Sequence, residues 1–292
     1  MNWLIFGGSG QLGLTLQDHL QLEHIDFLAP NRSDLDLTSE ADVAQCITST
    51  KPSVIVNCAA WTNVNAAESN EKEALEINGH AVEYMAKYAK EADSMLVHIS
   101  TDYVFSGERN APWSETDIPD PKTAYGRTKF FGELALLDTY EENSYILRTA
   151  WLYSKYGNNF AKSISKRILD TNESISVVGD QIGQPTLADD LSRQIILVAK
   201  KRIFPGIYHA TNSGEASWYD FARGINALLG DVSERIIKTT SKEITSTAKR
   251  PSYSVLSHDK WDTVGIAKMR DWKLAMNDSI KSIVNFSENE GE

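Results

Sequence analysis

Short runs of apolar residues alternate with longer stretches of helical period through the first half of the chain. WLIF (3–6) precedes QLGLTLQDHLQ, and HIDFLA (24–29) precedes TSEADVAQCITST (38–50). SVIVNCAA (53–60) precedes NEKEALEINGHAVEYMAKYAKEA (70–92), and MLVHIS (95–100) follows. After a loop rich in Pro and Gly comes a helix around AYGRTKF (124–130), then SYILRTA (144–150). Strands that are apolar on both faces, each followed by a helix, predict a parallel sheet covered on both sides. The expected fold class is therefore α/β, a Rossmann-type doubly wound sheet. Such sheets bind ligands beyond the carboxyl ends of their strands.

Beyond about residue 150 the pattern becomes mixed. SISVVGD (174–180), GIYHAT (206–211) and 234–240 read as short strands. Helices are expected near 158–170, 187–201, 217–229 and 273–285, with a frayed polar end at 287–292. No Gly/Ser linker, repeat or low-complexity tract separates the halves. The expected organisation is a nucleotide-binding domain over 1–150 and a smaller α/β lobe, mainly substrate-binding, over 151–292, interwoven with the first.

Charge and cysteine content narrow the function classes. The net charge of −11 disfavours phosphate backbones and anionic membrane surfaces, so no nucleic acid and no membrane is expected as a partner. Cys46 and Cys58 have no metal-ligand neighbours and read as buried thiols in a reducing compartment. None of the six histidines belongs to a metal cluster, and His98 reads as a satisfied core residue of its strand. The N-terminus shows no signal peptide and no membrane span. The expected location is cytoplasmic.

The first strand runs into GGSGQLG, which places Gly7, Gly10 and Gly13 between a strand and a helix. This spacing suits a tight turn, close approach of a pyrophosphate and close helix–sheet packing. After the second strand stands Arg32, which favours the 2′-phosphate of NADPH unless it is a solvated surface residue. Asp36 is placed either to accept from an adenine amino group or to act as a cap-like carboxylate before the next helix.

The chemical end lies after the fourth strand and at the 124–130 helix. Tyr125 and Lys129 are four residues apart and share a helix face, about 5–6 Å apart at Cβ. An ammonium so placed lowers a phenol pKa that is otherwise about 10 and makes a proton donor. Thr101 ends the fourth strand and faces the same cleft. With a nicotinamide on the glycine turn, Thr101, Tyr125 and Lys129 make sense as carbonyl-reduction chemistry. Hydride reaches the carbonyl carbon, Tyr125 protonates the alkoxide, and Lys129 lowers the phenol pKa and binds the nicotinamide ribose.

These residues resemble the extended short-chain dehydrogenase/reductase superfamily. More narrowly, VIVNCAAWTNVNAAE (54–68), HISTDYVFSG (98–107), AYGRTK (124–129), LRTAWLYSKYGNNF (147–160), VVGDQIGQPT (177–186) and GIYHATNSGEASWYDFA (206–222) resemble the dTDP-4-dehydrorhamnose reductase family. The resemblance implies reduction of the C4 ketone of dTDP-4-dehydro-β-L-rhamnose to dTDP-L-rhamnose with NADPH, NADH being the alternative. It implies Tyr125 as proton donor, Lys129 as its partner and Thr101 as the tuning hydroxyl. Gly10, Gln11 and Leu12 would meet the pyrophosphate, Asp36 and Leu37 the adenine, and Ala60, Trp61 and Thr62 the length of the cofactor. Thr101, Asp102 and Trp151 would contact the sugar, although Trp151 alone also suits a core aromatic.

Some assignments stay open. Arg250 is either a clamp for the substrate diphosphate or part of a surface basic pair with Lys249. Asn158 and Asn159 are either a helix cap or sugar contacts, and Trp218 and Tyr219 fit a core better than a ligand. Some members of the family hold Mg²⁺ at a dimer contact through glutamates, where this chain has Leu14-Thr15, a poor ligand pair. A monomer or another homodimer is expected, with no metal in the reaction. The competing readings are a reductase of another nucleotide-linked 4-ketosugar, and a non-catalytic regulator like the β subunit of methionine adenosyltransferase.

Overall fold

The computed structural model describes residues 2–230 and 234–289, the side chains of 286–289 excepted. Its centre is a six-stranded, wholly parallel sheet. Five strands come from the first half: β1 (Trp3–Phe6), β2 (Phe27–Leu28), β3 (Val54–Asn57), β4 (Met95–Thr101) and β5 (Ser144–Thr149). The sixth, Gly206–His209, pairs with β5, giving the order Gly206–His209, β5, β4, β3, β1, β2.

Strand parity explains why both faces bury. Trp3, Ile5, Val54, Val56, Val97 and Leu147 enter one core with Leu16 of the Gln11–Leu22 helix and Leu191 and Ile195 of the Ala188–Lys201 helix. Their sequence neighbours Leu4, Phe6, Ile55, Leu96 and Ile146 enter the other, with Val43, Met85 and Leu136. Successive side chains of a strand point to opposite faces, so an unbroken apolar run is what a doubly covered sheet requires.

A third core holds the second lobe together. It contains Tyr153, Ile164, Ile175, Phe221, Ile225, Trp272 and Ile280 from helices Phe160–Asp170, Trp218–Leu228 and Trp272–Asn289 and the strands beside them. The strand Ile236–Thr239 pairs in parallel with Ile175–Val178. Two pairings were not expected from the pattern, Leu152–Tyr153 with Thr186–Leu187 and Ile182–Gly183 with Ala216–Ser217. At two residues each they are too short to show an alternation. The last helix runs through Asn289, into the end expected to fray, and 290–292 lie outside the described residues.

The expected helix over 70–92 is interrupted. Glu71–Leu75 and Ala81–Glu91 are α-helical, and Glu76–His80 between them is a π turn. Asn78 at its middle explains the departure. Its side chain accepts from Trp61 N–H at 2.8 Å and donates to Trp61 C=O at 3.2 Å and to Thr128 Oγ1 at 3.1 Å. The widened turn thus secures the segment after β3 to the helix that carries Tyr125, and π turns of this kind recur near functional sites. Gly132 makes the close approach possible, since a Cβ there would stand 2.2 Å from the Asn78 carbonyl oxygen.

Candidate active site

A cleft of about 1040 Å³ opens at the carboxyl ends of β1, β3, β4 and β5. It runs from Arg32 and Asp36 at one end, past the glycine turn, to Tyr125, Trp151 and Trp218 at the other. Of the residues singled out in the sequence, Gly7, Gly10, Gln11, Leu12, Arg32, Asp36, Leu37, Ala60, Thr62, Thr101, Asp102, Tyr125, Lys129 and Trp151 all line it. Gly13, Trp61 and Arg250 do not.

The glycine turn has the build of an anion cradle. Gly7 sits at φ +75°, and a Cβ there would meet the Ala59 backbone at 2.5 Å. Gly13 acts in packing, because a Cβ on it would fall 2.3 Å from the Gly7 carbonyl oxygen. Gly10 caps the Gln11–Leu22 helix without any side-chain hydrogen bond. The first amides of that helix therefore face the cleft with no capping group, the arrangement that receives a phosphate. A dinucleotide pyrophosphate fits this end.

At the far end of the turn, Arg32 is exposed and its charge reaches Asp36. Asp36 accepts from Thr38 N–H at 2.9 Å and Thr38 Oγ1 at 2.8 Å. These bonds, the amide first, hold its carboxyl below the usual range, with Arg32 contributing. The helix cap is Ser39, which accepts from Asp42 N–H, so Asp36 is the carboxylate of a local turn at the cleft wall.

The Gln11 side chain is held from the second lobe. Asn159 Nδ2 donates to Gln11 Oε1 at 2.9 Å, and Ser154 Oγ does so at 3.3 Å. Asn159 also caps the Phe160–Asp170 helix by accepting from Lys162 N–H at 3.0 Å. Asn158 lines the cleft. The two asparagines thus divide between them the cap and the cleft-facing position.

Tyr125 enters from the helix Ala124–Tyr140, whose cap Thr123 accepts from Gly126 N–H at 3.0 Å. The Tyr103 ring meets the Tyr125 ring edge-on at 5.5 Å. Burial pushes the Tyr125 phenol up to about 12, a hydrogen bond with Thr101 pulls it back, and the Asp102 charge raises it. Thr101 Oγ1 also donates to Asp102 Oδ1 at 3.0 Å and accepts from Tyr103 N–H at 3.2 Å. Burial brings the Asp102 carboxyl up to about 6 against the bonds from Ser254, Thr101 and nearby amides.

Lys129 departs from the expectation. The spacing puts it on the Tyr125 face, yet it is 1% exposed and its Nζ donates to the Ile99 carbonyl at 2.6 Å, with His98 Nε2 at 3.2 Å. Burial drags the amine down to about 8, although the Glu133 charge opposes this. The phenol is raised here, not lowered, because burial dominates and the Lys129 Nζ is turned to His98 and Ile99. Strand β4 supplies partners that i, i+4 spacing does not reveal.

The sugar end holds a second surprise. Trp151 adopts φ +45° and stacks on Trp218 with ring centroids 3.6 Å apart and planes 8° from parallel. A left-handed tryptophan is strained by about 1–3 kcal/mol and persists only where its surroundings insist on it. Trp218 and Tyr219 pack against the second-lobe core as expected, and Trp218 also lines the cleft as the other half of this platform. Trp61 packs beside Tyr125 on the Ala67, Ala74 and Ala124 patch, held by Asn78. Arg250 is exposed next to the Tyr103 phenol, which its charge and hydrogen bond pull down against a larger effect of burial.

Other expectations resolve simply. His98 is fully buried and bonded at both ring nitrogens. Thr15 is buried and donates to the Gln11 carbonyl at 2.8 Å. Cys46 and Cys58 are free but only half-buried, Cys58 because it lines the cleft. Among the described residues no helix is long and apolar enough to cross a membrane, and no group of three His, Cys, Asp or Glu side chains is placed to hold a metal.

The chain matches the model of the RmlD substrate binding domain over residues 1–285. It is 40% identical to a dTDP-4-keto-6-deoxy-D-glucose reductase of Streptomyces niveus, covering 94% of each chain. It is 37% identical to a dTDP-4-dehydrorhamnose reductase of Streptomyces griseus, covering 96% of this chain and 93% of that one. The crystal structure of a Bacillus anthracis dTDP-4-dehydrorhamnose reductase in complex with NADP superposes with a TM-score of 0.92 at 34% identity, covering 96% of this chain and 99% of that one.

Proposed function

This chain belongs to the dTDP-4-dehydrorhamnose reductase family, and from that premise we propose that it is an NADPH-dependent reductase of a dTDP-4-keto-6-deoxyhexose. The substrate that best fits the whole-chain similarity is dTDP-4-dehydro-β-L-rhamnose, reduced at C4 to dTDP-L-rhamnose. The observation that carries this reading is that Thr101 and Tyr125 line one cleft with the uncapped glycine-turn helix.

NADPH, when bound, supplies the hydride for the carbonyl carbon. The residues of the chain do the rest. Gly10, Gln11 and Leu12 receive the pyrophosphate, Arg32 the 2′-phosphate, and Asp36 and Leu37 the adenine. Ala60 and Thr62 flank the cofactor path. Tyr125 donates its phenolic proton to the developing alkoxide, and Thr101 holds that phenol in line. A phenol pushed up to about 12 keeps its proton at neutral pH until an oxyanion forms beside it. Lys129 then serves the ribose hydroxyls and the return of the proton. Trp151, stacked on Trp218, gives the sugar a flat wall, Asp102 accepts from its hydroxyls, and Arg250 at the rim meets the diphosphate.

The test is NADPH consumption with freshly generated dTDP-4-dehydro-β-L-rhamnose, wild type beside Tyr125→Phe. Loss of a general acid lowers kcat by about 10²–10⁴-fold, while NADPH affinity stays within about twofold. A folded, NADPH-binding wild type that does not turn over this sugar would overturn the substrate assignment. A second substrate, a dTDP-4-keto-6-deoxy-D-glucose, is favoured by the name of the 40% identical Streptomyces niveus relative, and the same assay distinguishes them.

A further inference from the structure

Four hydrogen bonds beneath the cleft admit one consistent set of directions. The Ala59 backbone N–H donates to Asn57 Oδ1 at 3.0 Å. Asn57 Nδ2 lies 3.0 Å from His98 Nδ1, His98 Nε2 lies 3.2 Å from Lys129 Nζ, and Lys129 Nζ donates to the Ile99 carbonyl at 2.6 Å. Asn57, His98 and Lys129 are each no more than 1% exposed, so no solvent rearranges the chain.

A backbone amide only donates, so Asn57 Oδ1 is the acceptor and its Nδ2 is the group turned to His98. An amide NH₂ only donates as well, which makes His98 Nδ1 an acceptor. A neutral imidazole carries one N–H, and with Nδ1 accepting it resides on Nε2, aimed at Lys129. An ammonium has three donors and no lone pair, and would set N–H against N–H. An amine accepts from His98 Nε2–H and still donates to Ile99.

We propose that, in mildly alkaline solution, Asn57 and His98 form a directional relay that stores Lys129 as a neutral amine before the dinucleotide binds, and that Lys129 takes up a proton when the cofactor ribose draws it away. The proposal rests on the reading above, in which Lys129 serves the nicotinamide ribose. His98 is thus a positioning residue that acts through Lys129.

The charges around this pair run both ways. Glu133, on the helix of Lys129, favours the ammonium, and burial opposes it more strongly; the Cys58 thiol after β3, pushed up to about 12 by burial, carries no charge in that range. His98 is itself kept neutral by burial first, and by the Lys129 charge whenever that amine is protonated. Lys129 therefore titrates at about 8, within reach of an ordinary buffer. On the ribose it returns toward the usual lysine value of about 10.4.

Two measurements test the relay. Nitrogen NMR of the histidine rings in the cofactor-free protein at pH about 9, where Lys129 is mostly neutral, reads the tautomer of His98 directly, and the expected form is Nε2–H. Calorimetric titration with NADPH in buffers of different ionisation enthalpy reads protons taken up on binding. Uptake should rise from little near neutral pH to most of one proton above pH about 8, with affinity falling up to tenfold per pH unit in that range. Asn57→Asp keeps the shape and the bond from Ala59 but accepts from His98 Nδ1–H, reversing the chain. Its expected signature is the Nδ1–H tautomer and no proton uptake.

An Nδ1–H tautomer in the wild type at that pH overturns the proposal, whatever the variant does. So does NADPH binding without proton uptake across the whole range, a result that leaves the reductase reading intact. Failure to bind NADPH at all would overturn that reading and the recharging step with it, and the free-protein tautomer would still decide the relay.

Discussion

Glu133 and Arg148 face one another across the seam between the tyrosine helix and β5, both about 1% exposed, in a two-bond fork. Arg148 Nε donates to Glu133 Oε1 at 2.9 Å and Nη2 to Oε2 at 2.6 Å. Ser100 Oγ adds a bond to Oε1 at 2.5 Å, and the guanidinium lies over the Phe105 ring at 5.0 Å. Helix, β4 and β5 are thereby registered one turn below Lys129. Removing one partner leaves a buried charge without its counter-charge. Glu133→Gln should cost about 3–5 kcal/mol, read as a lower urea midpoint with an unchanged slope.

Gly132→Ala probes the same helix from its other side. The new Cβ would collide with the Asn78 carbonyl oxygen at 2.2 Å, and backbone cannot retreat as a flexible side chain can. The expected cost is about 1–3 kcal/mol, with a fall in kcat larger than any change in NADPH affinity, because Tyr125 shifts with the helix. Urea unfolding and steady-state kinetics check the two parts.

Asp102 gives a pH dependence with a definite sign. Its folded pKa, about 6, lies above the ordinary 3.8. The folded state therefore binds more protons than the unfolded one between those values, and stability falls as pH rises through that window. Above pH 6 the whole penalty is present, and below 3.8 it is gone. Asp102→Asn should thus be the more thermostable protein at neutral pH, by up to about 3 kcal/mol. The gap should close on acidification. Melting temperature against pH for the two proteins measures it.

Arg32 tests cofactor choice. A charge-assisted bond to a 2′-phosphate contributes about 1.5–3 kcal/mol. Arg32→Ala should raise Kd for NADPH by roughly 10- to 100-fold and leave NADH nearly unchanged. Equal effects on both cofactors would place Arg32 outside the phosphate site.

Much of the frame was legible because its cause is local. The apolar runs at 3–6, 54–57 and 95–101 are strands since parity alone decides which core each side chain enters. The glycine turn was legible for the same reason, as its φ and close approach belong to the residues that show them. What stayed hidden depends on partners far along the chain. The π turn exists because Asn78 satisfies the backbone of Trp61, and Lys129 lies where it does because β4 offers His98 and Ile99. The cleft-facing side of Trp218 stayed hidden because nothing near it in sequence announces Trp151, whose backbone must turn left-handed before the rings can stack.

The strand Gly206–His209 has a consequence for synthesis. It covers the outer edge of β5, whose own last residue is Thr149, so more than fifty residues leave the ribosome between the two. At ordinary elongation rates of about 5–20 residues per second, that edge waits several seconds with its peptide groups open. An open edge recruits whatever strand is nearest. A nascent chain halted between these points would carry the entire glycine turn and Tyr125 on a sheet still able to pair with a neighbour on the same messenger.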